Sequence, residues 1–184
     1  LQDKNVRLGI AHALNIQKMI DLAMLGDAKQ AHTISTGYRG YANLDLKARA
    51  FDIEKAVGHL EQAGWARIGA DGIRVKNGQR LSIKLIYIHP SDKELIMILK
   101  EEAAKAGIEL KPDTYDSNTV FKFVQDKKHE MVWHGWGAWT NLRGPTYYSV
   151  YHSDNAKIPN TNNLCNFADP EVDRLIETYR NSND

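Results

Sequence analysis

Leu81-Ser82-Ile83-Lys84-Leu85-Ile86-Tyr87-Ile88 places Leu81, Ile83, Leu85 and Tyr87 at alternate positions, the period of a strand with one buried face. Working outward from it, a helix is predicted over about Asp92–Ala106, closed by Gly107. A second strand is expected at Ile108–Thr114, then a helix over about Asn118–Gln125 capped by Ser117 or Asp116, then a third strand at Met131–Trp136. Strand, helix, strand, helix, strand is the pattern of a parallel sheet joined by right-handed crossovers. Ligands of such sheets sit outside the carboxyl ends of the strands. Here those ends are Ile88-His89-Pro90, Tyr115-Asp116-Ser117 and Trp136-Gly137-Ala138-Trp139.

Upstream, Asp71-Gly72 and Asn77-Gly78 flank Ile73-Arg74-Val75 and predict a small hairpin or meander feeding the first strand. Asp52 stands where an N-cap belongs, ahead of a helix over roughly Ile53–Ala63 with Gly64 as its stop. Two short helices are expected before that. One carries Val6, Ile10, Ala13 and Leu14, and the next carries Ile16, Met19, Ile20, Ala23 and Met24. The stretch Lys29–Arg49 lacks periodicity, and about 20 residues is a long connection. A further loop of about 30 residues follows Trp139. Asp169-Pro170-Glu171 then opens a last helix with Val172, Leu175, Ile176 and Tyr179 on its apolar face.

With 184 residues the chain is long enough to bury a core and has the length of one domain, or of two very small ones. The 24 basic and 23 acidic side chains leave a formal net charge of +1, which offers nucleic acid no electrostatic footprint. No run approaches the roughly 18 apolar residues of a membrane span. The single Cys165 excludes an internal disulfide. The chain opens Leu1-Gln2-Asp3, with no initiator Met, and reads as a piece of a longer protein.

The richest strand end carries Trp136 and Trp139, followed by Tyr147, Tyr148 and Tyr151. Trp133 and Trp139 differ in parity from Trp136, so one buried face does not accommodate all three. Trp133 suits the core, whereas aromatic faces at a sheet edge suit stacking on a ligand. Seven histidines invite a metal. His129 and His134, five apart, point to opposite faces, and His12, His32, His59, His89 and His152 are scattered. Solvated or core-edge histidines are the simpler reading, and neither metal nor cofactor is expected. There is no Gly-x-Ser-x-Gly elbow and no phosphate-binding glycine loop. Asn160-Thr161-Asn162-Asn163 suits ligand contact and an ordinary polar loop equally well.

Several stretches together resemble the extracellular solute-binding proteins of the dipeptide/oligopeptide ABC-transporter family. Asn5-Val6-Arg7 through Asn15 is similar to the start of that family's C-terminal lobe, with Asn15-Ile16 where the family often has Asp-Arg. Phe51-Asp52-Ile53-Glu54-Lys55-Ala56 through Leu60-Glu61-Gln62-Ala63-Gly64-Trp65 resembles the helix that follows. Asp71-Gly72-Ile73, Gly78, Leu81, Gly107-Ile108-Glu109-Leu110 and Asp169-Pro170-Glu171-Val172-Asp173-Arg174-Leu175-Ile176 complete the set. The resemblance implies an α/β, periplasmic-binding-protein-like lobe with a mostly parallel βαβαβ core, N-terminal helices and long loops. It implies that residues 1–184 are most of the C-terminal lobe of a two-lobed receptor whose N-terminal lobe is absent. Such a receptor is periplasmic or extracellular, or tethered outside the cell. It is not an enzyme: it closes on a small solute and presents it to an ABC-transporter permease.

Peptide-binding members carry Gly-Trp, two residues and an Asp that pairs with the peptide's amine. Here Gly135-Trp136-Gly137-Ala138 is followed by Trp139, so that carboxylate is missing. An oligopeptide or an oligosaccharide is therefore the expected solute. Trp136, Trp139 and Tyr147 are the stacking candidates, and Tyr38, Asn141 and Asn162 are further contacts from the long loops. Two readings from other classes are a small α/β hydrolase using Asp116, His134 or His89, and a protein-interaction module built on the aromatic patch.

Overall fold

A computed structural model describes residues 1–33, 42–135 and 147–182. Two helices open the chain, α1 (Lys4–Ala13) and α2 (Ile16–Ala23). Their starts are set by side-chain oxygens that satisfy free amides: Asp3 Oδ1 accepts from Asn5 N at 2.7 Å, and Asn15 Oδ1 accepts from Lys18 N at 3.0 Å. Helix α3 (Ile53–Gln62) begins the same way, with Asp52 Oδ1 accepting from Lys55 N at 3.0 Å. Strands β1 (Arg67–Ile68), β2 (Arg74–Lys76) and β3 (Gln79–Arg80) then form an antiparallel meander. Its β2–β3 turn is Asn77-Gly78, both with positive φ, the backbone a two-residue hairpin demands.

The parallel sheet consists of β4 (Ser82–Tyr87), β5 (Glu109–Thr114) and β6 (Met131–Val132) in the order β5-β4-β6. Ser82 to Tyr87 register with Glu109 to Thr114 on one side of β4, and Leu85 and Ile86 pair with Met131 and Val132 on the other. Helix α4 (Lys93–Ala104) carries the first crossover and α5 (Ser117–Gln125) the second. The two crossovers run across the sheet in opposite directions, so a common right hand puts their helices on opposite faces.

Burial follows from this arrangement. Ile83, Leu85 and Tyr87 face α1, α3 and α4, where they meet Val6, Ile10, Ala56, Leu60, Ile96 and Ala103. The alternate residue Ile86 faces α5 and packs on Val120 and Val124. Met19 and Ile20 of α2 form a satellite cluster with Leu99 of α4. Beside that cluster Glu102 is 1% exposed and accepts from Lys18 and Lys105, each at 2.7 Å, and from Asn15 at 3.4 Å. Burial alone would raise the Glu102 pKa. The bonds from Lys105, Lys18 and Asn15 outweigh that and bring it from 4.5 to about 2.

Three expectations need correction. The third strand does not reach Trp136, as its sequence predicts; its ladder ends at Val132. After Trp133 N bonds the Ile86 carbonyl at 2.9 Å, the Trp133 ring turns into the core and its indole N–H donates to Asp92 at 3.1 Å. The segment after Trp139 is also less irregular than expected: it contains α6 (Tyr147–Tyr151) and a 3-10 turn at Ser153–Asn155. The last helix, α7 (Pro170–Asn181), starts at Asp169 as predicted, but its Leu175 is exposed and only Ile176 is fully buried.

Candidate functional site

The order β5-β4-β6 means that the chain reverses direction across the sheet between β4 and β6, and a crevice opens at the carboxyl ends there. A cavity of about 130 Å³ occupies that place. Ile88 at the end of β4 and His134 beyond β6 line it on the sheet side. Val120, Phe121, Val124 and Gln125 of α5 form one wall, and Thr161, Asn162 and Leu164 form the other. Its lining joins apolar side chains to a few polar ones, the pattern of a small-molecule pocket. Phe121 is 53% exposed and meets the His134 ring edge-on, with centroids 6.3 Å apart. An apolar side chain off the buried stripe of its helix is the signal in the sequence that marks Phe121.

The loop wall is held in shape by Lys127 and Asn163, which do not themselves line the cavity, and by Thr161, which does. Lys127 Nζ donates to the carbonyls of Asn155 and Asn163, both at 2.9 Å. Asn163 is 1% exposed; its amide donates to the Phe167 carbonyl at 2.7 Å and its oxygen accepts from Phe167 N at 2.8 Å. Thr161 Oγ1 donates to the Asn155 carbonyl at 2.8 Å. The Asn160–Asn163 stretch is therefore divided in role. Asn163 and Thr161 tie the loop together, while exposed Asn162 turns toward the cavity.

Of the other expected contacts, Tyr38, Trp136, Trp139 and Asn141 lie outside the described residues. Tyr147 is half-buried on α6 and meets Tyr179 of α7 edge-on at 5.6 Å. Its neighbours also hold α6 in place: Tyr148 lies under Arg180 of α7 at 4.1 Å and bonds Asp154 at 2.7 Å. Tyr151 meets Phe167 at 5.8 Å. Asp116, named above for a hydrolase, instead caps α5 and accepts from both N and Oγ1 of Thr119. Those bonds hold its carboxyl below the usual range. Among the described residues no three His, Cys, Asp or Glu side chains converge to hold a metal, and no helix is long and apolar enough to cross a membrane.

Residues 1–157 match the family described as bacterial extracellular solute-binding proteins, family 5 Middle. The chain belongs to family 5. It is 32% identical over 136 residues to the nickel-binding periplasmic protein of Escherichia coli (strain K12), covering 72% of this chain and 26% of that protein. The oligopeptide-binding protein AppA of Bacillus subtilis (strain 168) is 23% identical over 100% of the chain and 34% of its own length. The structure of AppA with a nonapeptide superposes with a TM-score of 0.87, covering 100% of this chain and 36% of that one. The oligopeptide-binding protein of Thermus thermophilus with a pentapeptide gives 0.81 at 27% identity, over 96% and 32% of the two chains. The family 5 fold is thus the one observed, with helices around a parallel sheet. This family 5 chain spans about a quarter to a third of the length of these relatives.

Proposed function

We propose that the chain is most of the C-terminal lobe of a receptor that serves an ABC importer. The receptor captures an oligopeptide-like solute between two lobes and delivers it to a membrane permease. The observation that carries this reading is the cavity at the β4–β6 crevice of a family 5 chain. Its volume of about 130 Å³ suits one side chain or one ring of a larger solute, not a whole oligomer. The remaining contacts then come from the surface around it and from a second lobe. In this reading Trp136, Trp139 and Tyr147 supply aromatic faces to the solute, and Tyr38, Asn141 and Asn162 supply further contacts.

The mechanism is a population shift. Contacts that exist only when both lobes touch the solute favour the closed form, and closure hides the solute from water until the permease is reached. No bond is made or broken, so the chain needs no nucleophile and no cofactor. The intact protein acts in the periplasm or outside the cell, free or tethered to the membrane.

Titration calorimetry on the intact receptor tests this, with one panel of oligopeptides and one of oligosaccharides. Saturable binding of peptides at one per receptor is the expected result. Binding of oligosaccharides alone moves the assignment to a sugar receptor of the same family, and heat from neither panel overturns both.

A further inference from the structure

The cavity at the β4–β6 crevice is continuous with the core on the α5 side of the sheet. Val120 and Val124 belong to that core, and Ile88 and Leu164 pack against it. All four also line the cavity, so its floor is apolar. Its two walls are fastened to each other, since Asn160 N donates to the Gln125 carbonyl at 3.0 Å. Lys127 and Asn163 brace the loop wall without lining the cavity. The space is therefore built before a solute arrives, which lowers the ordering cost of binding.

Size, charge and hydrogen bonding together define what fits. An apolar cavity of about 150 Å³ holds benzene, so one of about 130 Å³ holds a branched aliphatic side chain and is too small for an indole. Among the described residues that line it there is no carboxylate, ammonium or guanidinium group. His134 is the one titratable side chain among them, and it is exposed and edge-on to the Phe121 ring. The charges nearby in the chain are engaged elsewhere: Lys127 on two carbonyls, and Asp126 with Lys128 at 3.1 Å. A cationic side chain entering the cavity would lose water and meet no counter-charge, and an anionic one would meet only the exposed His134. Thr161 already gives its hydroxyl proton to the Asn155 carbonyl. The side-chain amides of Gln125 on the α5 wall and Asn162 on the loop wall have no hydrogen-bond partner among the described residues. A primary amide both donates and accepts, which matches a peptide group.

We infer that this cavity is a specificity subsite for one neutral aliphatic side chain of the solute (Leu, Ile, Val or Met in a peptide), with Gln125 and Asn162 bonding the peptide group beside it. The inference rests on the transport reading for the class of solute. Lys, Arg, Asp and Glu are rejected for want of a counter-charge, and Trp is rejected by size. Gln125 is the residue whose replacement changes the choice. A carboxylate in its place supplies the counter-charge, so Gln125→Glu admits Lys where the parent admits Leu.

The test is calorimetry on the intact receptor with alanine-based peptides of one length, in which each position in turn carries Leu, Lys or Glu. At one position Leu should bind about tenfold or more tighter than Ala, while Lys and Glu bind no tighter than Ala. In Gln125→Glu, Lys at that position should gain affinity and Leu should lose it. Affinities within about twofold for every side chain at every position, or the same Leu preference in Gln125→Glu as in the parent, would overturn the subsite and leave the receptor reading standing. If no peptide binds, the receptor reading fails and the cavity is read on the 184-residue chain itself. There the methyl resonances of Val120, Val124 and Leu164 are followed during titration with N-acetyl-leucine amide and, separately, N-acetyl-lysine amide. Saturable shifts with the first and none with the second are the expected result. Shifts with neither probe, or equal shifts with both, would overturn the subsite.

Discussion

Lys18 and Glu102 are 84 residues apart in the chain, yet Lys18 Nζ donates to Glu102 Oε1 at 2.7 Å and thereby fastens α2 to α4. The carboxylate is buried while the lysine keeps 41% of its side-chain surface in water. Replacing Glu102 by Gln leaves two lysines that can rehydrate, so the cost at neutral pH should be moderate, about 1–3 kcal/mol. The folded pKa of about 2 lies below the ordinary 4.5, so this contribution is complete above pH 4.5 and drains away as the pH falls toward 2. Urea titrations of the parent and Glu102→Gln at about pH 7 and about pH 3 should show the gap between them narrowing at the lower pH. An unchanged gap would mean that charge is not what Glu102 contributes.

Gly107 and Gly72 both have positive φ, 78° and 82°, but only one of them is crowded. A Cβ on Gly107 would lie 2.7 Å from Arg74 Cγ and 3.2 Å from the Gly72 carbonyl, whereas one on Gly72 would meet nothing within 4 Å. Gly72→Ala should therefore cost about 1–2 kcal/mol, the left-handed backbone alone. Gly107→Ala should cost about 2–4 kcal/mol, since the clash adds to it. Urea midpoints at equal slope measure the difference, and equal losses would refute the crowding argument.

Lys127 combines φ of 56° with two carbonyl partners, Asn155 and Asn163. Lys127→Ala should cost about 1–3 kcal/mol and speed amide exchange across Asn155–Asn166 more than in α5. Lys127→Gly loses the same ammonium but relaxes the backbone, so it should be the less damaging change, the reverse of the usual order. A Gly variant less stable than the Ala variant would show that the left-handed backbone is not a cost here.

Phe121 is mostly exposed, so Phe121→Ala should change the stability of the chain by no more than about 1 kcal/mol. In the intact receptor the same change should weaken solute binding by about 1–3 kcal/mol if the cavity is a subsite, and Trp136→Ala should do likewise. Calorimetry with the solute that binds the parent reads both. Unchanged affinity for Phe121→Ala would remove the cavity from the binding surface.

What can be read from the residues divides along the range of the forces involved. Asp52, Asp116 and Asp169 announce their helices because a cap bonds amides two or three positions away. The alternation Leu81, Ile83, Leu85, Tyr87 is equally local, and all four are buried. The third strand reads too long in the sequence because its end is decided by the bond from the Trp133 indole to Asp92, 41 residues upstream. Helix α6 leaves no local signal because Tyr147 and Tyr148 find their partners, Tyr179 and Arg180, only once α7 has docked. The cavity is legible as a place, the carboxyl ends of the strands, but not as a set of residues. Its walls come from α5 and from a loop whose shape is held by Lys127 and Asn163.

The order β5-β4-β6 also dictates a sequence of assembly. The middle strand is the first of the three to leave the ribosome, and each later strand joins an edge that is still open. No strand has to be threaded between two that are already paired, and the entropy of closing each crossover is met one at a time. The meander that precedes β4 is made of neighbours in the chain and can form before either crossover closes. The sheet thus grows outward from its oldest strand, and the β4–β6 crevice is the last part of it to come into being.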